Sequence, residues 1–391
     1  MHTKLSRGGN VDVFMILRAS VLVAFHVLAF VLPGIAGGKK AEKREKHEAQ
    51  FREVLQGAMA RWDRDGNGVL SGEEMNAVLE NPQVRGDEAA AAVVVRRRAR
   101  NEDGTALQGI AAAQVMALAD DRSVVGSFED LRRHISKLSH VLFQPGDPNL
   151  ASFHQGRVGD CYLLSVIGEI VYRNPQLIRT MIAPLPGGAY EVHYGNGRTL
   201  TVPAITDAEL ATGARMGSDH GIWLSVLEKA YGTLREQQHD ADFDEDDKIA
   251  KDFLGGGNSG KIINLMTGHR VTRVHWGSDE TSAAEDRVGK LLMTLIAEGR
   301  LIGTGTGKGD KDLPKHISHS HSFAVLAYDP ARRMVRVFNP WGNDFTPKGS
   351  AGLSSGYPTH DGVFDVPLRE FVQVFTHLAC ETEKPVRRLN G

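Results

Sequence analysis

The sequence predicts a mixed α+β or α/β body of catalytic size behind a helical leading region. From about Leu138 onward, short β-like runs at 190–194, 323–328 and 335–338 alternate with amphipathic helical patterns. Ahead of them, Phe51, Val54, Leu55, Met59 and Trp62 recur at the spacing of one helical face. No internal repeat of fixed period is present, which argues against a solenoid.

A chain of 391 residues has room for two to three folding units of about 150 residues each. Hydrophobic residues at 41% and charged residues at 24% are ordinary for folded proteins, so wholesale disorder and a many-span membrane protein are both excluded. The formal net charge of −2 gives no global attraction to phosphate backbones, and nucleic acid is not an expected partner. With only Cys161 and Cys380 present, sulfur is expected to be reactive or packed rather than a scaffold.

At the N-terminus, Lys4 and Arg7 precede an apolar stretch cleanest over 19–32, then Pro33-Gly34 and small residues. This pattern predicts a signal peptide over 1–38 and a secreted or periplasmic protein with no stable membrane span after cleavage. The alternative is a membrane anchor formed by the uncleaved segment, and Met15 would make a tidier start than Met1. Export implies an oxidising compartment, in which the two cysteines could pair. Residues 39–137 then read as a helical region: a charge-dense 39–47, the amphipathic stretch through Trp62, and an Ala/Val-rich helix over 89–100 with an exposed basic end.

Within that region, the segment 63–74 fills the twelve-position template of an EF-hand loop. Side-chain oxygens fall at Asp63, Asp65, Asn67 and Ser71, the Val69 carbonyl sits at the seventh position, and Glu74 closes the site with two oxygens. Gly68 supplies the sharp turn and Leu70 the apolar slot that packs between paired loops. A hard divalent cation needs this many oxygens, so the loop predicts bound Ca2+. A second loop is not evident, because 101–104 lacks an acidic closing residue; a lone loop binds weakly, as suits calcium-rich extracellular fluid. The acidic run 240–247 lacks the glycine and final Glu and reads as a solvated loop.

The stretch 155–164, QGRVGDCYLL, is the most informative in the chain. After Cys161, the residues Leu164, Ile167 and Val171 follow helical spacing until Asn174-Pro175, so Cys161 opens a buried helix. The positive end of that helix and a nearby imidazolium are expected to lower the thiol pKa and give a thiolate at neutral pH. Gly156 and Gly159 let the loop turn so that Gln155 can bring its amide beside the sulfur as an oxyanion donor. A base and an orienting partner are then required. His321 precedes the apolar run 322–328, and Asn339 follows 335–338 inside Asn339-Pro340-Trp341-Gly342. Adjacent strands would hold imidazole and carboxamide together, with Trp341 shielding their bond.

These residues resemble the calpain family of papain-like cysteine proteases, whose pattern is QGxxGDCW, then HAYSV, then NPWG. The likeness covers about Leu142 to Glu381, with further matches at 223–231, 255–268, 301–303, 361–364 and 371–378. The resemblance implies an α+β, two-lobed papain-like domain over 138–384, with a helical lobe and an antiparallel sheet lobe, followed by a tail over 385–391. It implies Cys161 as nucleophile, His321 as base, Asn339 as orienter and Gln155 as oxyanion donor in a calcium-dependent endopeptidase acting on protein or peptide substrates. Tyr162 replaces the usual Trp, Ser320 the Gly before the base, and Phe323 the Tyr of HAYSV. Among the family's core calcium ligands, Glu228 and Asp361 have counterparts, whereas Ser152 and Val363 stand where acidic ligands are expected.

Competing readings remain at three places. His316, His319 and His321 form an H-x-x-H-x-H pattern that a metal could use, though without an acidic or cysteine partner at zinc-like spacing. The stretch 303–309 fails the P-loop pattern and reads instead as a flexible loop gating the cleft. Cys380 reads as a core thiol. The substitutions at Tyr162 and Ser320 motivate the alternative of a catalytically inactive, calcium-dependent binding protein on the same fold.

Overall fold

The computed structural model describes residues 41–99, 109–146, 148–156, 158–217, 221–237, 257–277, 281–309 and 312–383. The signal-peptide segment 1–38, the stretch 101–104, the acidic run 240–247 and the tail 385–391 lie outside the described residues.

The leading region comprises α1 (41–62), β1 (Val69–Ser71), α2 (Gly72–Leu79), α3 (Gly86–Arg98), β2 (Gly109–Ala111), α4 (Ala112–Ala117) and α5 (Arg122–Ile135). Side chains at the helix starts set these boundaries. Ser71 and Glu74 close a capping box on α2, and Asp121 accepts the Ser123 and Val124 N–H groups at the start of α5. Ala89 through Val95 are all buried, because small residues let α3 pack on every side. Its arginine end is only partly exposed: Arg96 and Arg97 are half-buried and have partners, and Arg98 donates to Ser123 Oγ. Phe51, Leu55, Trp62, Leu70 and Phe128 share one core, in which the Phe51 and Phe128 rings stack with centroids 4.6 Å apart. Leu70 faces Ile110 across an antiparallel β1–β2 pair.

A helical half follows: α6 (Cys161–Arg173), α7 (Pro175–Met181), β3 (Ile182–Pro184), β4 (Tyr190–His193), β5 (Thr199–Val202), α8 (Asp207–Thr212), α9 (Trp223–Gln237) and α10 (Ser259–Thr267). The remainder is β6 (Val271–His275), α11 (Thr281–Ala297), β7 (Ile302–Gly305), β8 (Ser322–Asp329), β9 (Met334–Phe338), β10 (Thr359–His360), β11 (Val363–Pro367), α12 (Leu368–Val374) and β12 (His377–Glu381). Strands β3–β5 form a small antiparallel sheet. The others build a seven-stranded antiparallel sheet in the order β10-β11-β9-β8-β7-β12-β6. The arrangement is therefore α+β, with helices and antiparallel sheets segregated along the chain.

Two joints position the halves. α8 carries Ala208 and Ala211 into the core of the leading region, while the Gly86 N–H donates to Asp207 at 2.7 Å and the Thr206 hydroxyl donates to the Leu79 carbonyl at 2.7 Å. α6 packs across the large sheet at Gly168, where any Cβ would fall 2.2 Å from the Phe338 ring. There Glu169, fully buried, accepts the Ile302 N–H and pairs with Arg173 at 2.9 Å, and burial pushes its carboxyl up to about 7.

Both cysteines are free thiols, which corrects the expectation that they could pair. Cys161 opens α6, whereas Cys380 is buried in β12, where apolar surroundings push its thiol up to about 12. The expected flexible loop at 303–309 is also corrected in its first half. Gly303–Gly305 belongs to β7 in the sheet interior and is buried, with β8 on one side and β12 on the other. Among the described residues, no helix is long and apolar enough to cross a membrane.

Candidate active site

His321 and Asn339 meet because β8 and β9 are antiparallel neighbours: the residue before β8 and the residue after β9 fall at the same sheet end. His321 Nε2 lies 2.8 Å from Asn339 Oδ1. The same Oδ1 accepts the Trp341 N–H at 3.1 Å, which fixes it as the acceptor and makes Nε2 the donor. The imidazole lone pair is thereby left on Nδ1. The Trp341 ring lies over His321 with centroids 4.5 Å apart, and Phe323 meets it edge-on at 4.7 Å. Thr306 anchors the backbone: its N–H donates to the His321 carbonyl at 3.0 Å, and its hydroxyl accepts the His321 N–H at 3.1 Å.

Cys161 starts α6 on the facing half, partly buried. Ser322, the residue after His321, lies close enough to the sulfur for its backbone N–H and its hydroxyl to bear on the thiol's pKa. Both lower the thiol pKa, yet burial outweighs them and the thiol lies above its ordinary value. Burial likewise pushes His321 down to about 4. Desolvation thus disfavours the charged form of both groups, a direction opposite to the one expected from the helix terminus.

Gln155 is tied to the Asn339 loop, since its N–H donates to the Pro340 carbonyl at 2.8 Å. Its amide Nε2 donates to Val158 O at 2.6 Å, leaving one amide hydrogen for another acceptor. Gly342 makes the closure possible: its φ is +67°, and a Cβ there would stand 1.7 Å from the Phe153 carbonyl oxygen. Behind the sulfur, the Asp160 carboxyl is fully buried beside Glu228, which accepts the Ala214 N–H at 2.7 Å. Burial first, then the Glu228 charge, drives Asp160 well up, so this pair holds a proton. Tyr162 is buried with its hydroxyl accepting from Arg235 at 2.8 Å, so the residue replacing Trp is fully accommodated.

Three features were not read from the sequence. Ser322 was passed over as a strand residue, although its place directly after the base was a usable signal. The buried acid pair needed the fold, since Asp160 and Glu228 lie on different helices. Gln114 is the third: the β1–β2 register makes it the counterpart of Glu74, and it caps Ala111 N–H as Glu74 caps Ser71 N–H. The three-histidine pattern does not gather, since His316 stacks flat on Phe345 while His321 is held by Asn339.

In the 63–74 loop, ligand atoms of Asp63, Asp65 and Glu74 lie within 4.8 Å of one another. The Asn67 side-chain oxygen accepts the Val69 N–H, the Ser71 hydroxyl caps Glu74, and Glu74 draws in the Arg64 and Ser71 N–H groups. A converging set of hard oxygens of this kind fits a divalent cation.

Residues 122–355 match the family model described as calpain family cysteine protease. The chain is 24% identical over 231 residues to the rice calpain-type cysteine protease ADL1, covering 55% of this chain and 10% of that protein. It is 26% identical over 219 residues to the Arabidopsis thaliana calpain-type cysteine protease DEK1, covering 51% of this chain and 9% of that one. With human calpain-14 it is 25% identical over 211 residues, covering 48% of this chain and 27% of that one. The chain thus spans well under two thirds of each of these relatives. A family match over more than half of its length shows that the chain belongs to the calpain family of cysteine proteases.

Proposed function

We propose that the protein hydrolyses peptide bonds as a cysteine endopeptidase of papain-like, two-lobed design. The observation that carries this reading is the hold of Asn339 on His321, which leaves the Nδ1 lone pair as a base. In the reaction, Nδ1 takes the proton from Cys161 as the sulfur attacks the scissile carbonyl, forming the C–S bond. The Cys161 backbone N–H and the Gln155 amide receive the oxyanion, a type of contact worth roughly 10²–10³ in rate per donor. Collapse breaks the C–N bond, and His321 returns the proton to the leaving amine. Water, deprotonated by His321, then cleaves the thioester and releases acid and thiol. Trp341 and Phe323 keep bulk water off the imidazole–carboxamide bond.

An epoxide thiol probe tests this. Labelling that disappears in Cys161→Ala, with casein cleavage lost in parallel, supports the reading. A second reading, a catalytically inactive calcium-dependent binding protein, draws support from the raised thiol pKa and from the Gln155 amide turned to Val158. Absence of labelling and of casein cleavage with calcium present would establish it.

We further propose that Asp63, Asp65, Asn67, Ser71, the Val69 carbonyl and Glu74 hold Ca2+. The ion would supply a double positive charge that relieves repulsion among the carboxylates and stiffens the loop. Export through the 1–38 segment remains part of this proposal, and N-terminal sequencing of the mature protein tests it.

A further inference from the structure

A cavity of about 380 Å³ lies at the joint between the leading region and the helical half, apart from the sulfur. Its polar lining is one-sided. His134 and Lys137 come from α5 and the residues after it, and His154 and Arg215 come from two segments of the helical half that pair backbone to backbone. Ser139, Ser152 and Ser225 also line it, and no carboxylate does among the described residues. Lys137 and Arg215 make no ion pair among the described residues, although a surface cation normally has many acidic neighbours to choose from in a chain with balanced charge. His134 Nε2 is buried without a hydrogen-bond partner. Burial first, then the cationic charges of Arg215 and Lys137, lower the pKa of that ring. His154 Nδ1 is already bonded to the Trp341 carbonyl at 3.1 Å, but His134, Lys137 and Arg215 converge without a counter-charge among the lining residues, an arrangement that an anion would stabilise. Gly221 and Ile222, just before α9, and Ser225 in its first turn also line the space.

We propose that this cavity binds the dianionic phosphate group of a small phosphate monoester. The guanidinium of Arg215 offers paired donors, Lys137 a point charge, and His134 Nε2 a buried donor, a combination suited to several oxygens of one phosphate. The volume exceeds what orthophosphate alone fills, leaving room for a small organic group against Leu138, Leu210 and Met216. Because His154 precedes Gln155, an occupant here would brace the loop that carries the Gln155 amide and would clamp the leading region to the catalytic half. This inference does not depend on turnover at Cys161.

The test uses the full chain and thermal unfolding. Ten millimolar glycerol 3-phosphate or inorganic phosphate is compared with chloride at matched ionic strength. Saturable stabilisation of about 3 °C is expected from a site filled well above its dissociation constant. The shift is expected to vanish in Arg215→Ala and in Lys137→Ala, whose side chains are exposed and whose melting temperatures in chloride should match the parent. A larger shift with glycerol 3-phosphate than with phosphate identifies the monoester as the ligand; equal shifts identify free phosphate through the same contacts. No stabilisation beyond chloride, or the same stabilisation in both variants, would overturn the proposal.

Discussion

Ser322 lies close enough to Cys161 for its backbone N–H and its hydroxyl each to lower the pKa of the thiol. The base and the nucleophile's solvating group are therefore consecutive residues at the start of one strand, and moving either disturbs both. Replacing Ser322 by Ala removes one donor and keeps the other. Thiol alkylation by iodoacetamide at pH 7.5 should slow by about 3-fold, because less of the thiol is ionised. Ser322→Thr should restore the parent rate; an unchanged rate in the Ala variant would show that the hydroxyl does not act on the sulfur.

A second prediction concerns pH and stability. His321 has a folded value of about 4, below its ordinary 6.5, so the unfolded chain takes up the proton first as pH falls. The stability that this group contributes is complete above about 6.5 and is lost as pH falls toward 4. Between pH 7.5 and 5, about 2 kcal/mol should disappear on its account, from 1.36 kcal/mol per pKa unit. His377, also pushed down to about 4, acts in the same direction. Urea midpoints at the two pH values should differ less in His321→Gln, whose amide can still donate to Asn339 but does not titrate. An identical difference in parent and variant would mean that His321 is solvated.

Gly342 should tolerate no side chain. Its left-handed backbone and the 1.7 Å that would separate an added Cβ from the Phe153 carbonyl oxygen combine two penalties in one residue. Gly342→Ala should cost more than about 2 kcal/mol and abolish probe labelling, because the loop from Asn339 must shift. Chemical denaturation and labelling measured on the same sample check both halves.

For the calcium loop, Glu74→Gln should weaken binding at least about 30-fold, since it removes the charge of the two-oxygen ligand. Gln114 already stands in that state at the paired position, holding its N-cap N–H as a neutral amide. Terbium luminescence on the parent and the variant reads the difference; equal affinity would place the ion elsewhere.

The contrast between Glu74 and Gln114 also shows what the sequence could reveal. Cys161, His321 and Asn339 were legible because each sits in a short local pattern at an element boundary, where one residue's identity carries the chemistry. The partner of β1 was not, because strand pairing is a long-range choice and Gln114 lacks the charge that marks its counterpart. Residues 303–305 read as loop because alternating Gly and Thr look loop-like, although the structure buries them between two neighbouring strands. The burial of the thiol was not legible for a different reason: helix position can be read from periodicity, but the desolvation that raises the Cys161 pKa depends on residues the fold brings around it.

The placement of β12 governs when the cleft can exist at all. It runs between β7 and β6, so the strand that follows the other six in sequence fills an interior slot of the sheet on which His321 and Asn339 are mounted. Until Glu381 has emerged from the ribosome, β6 has no strand to join it to β7, and the sheet waits in two pieces.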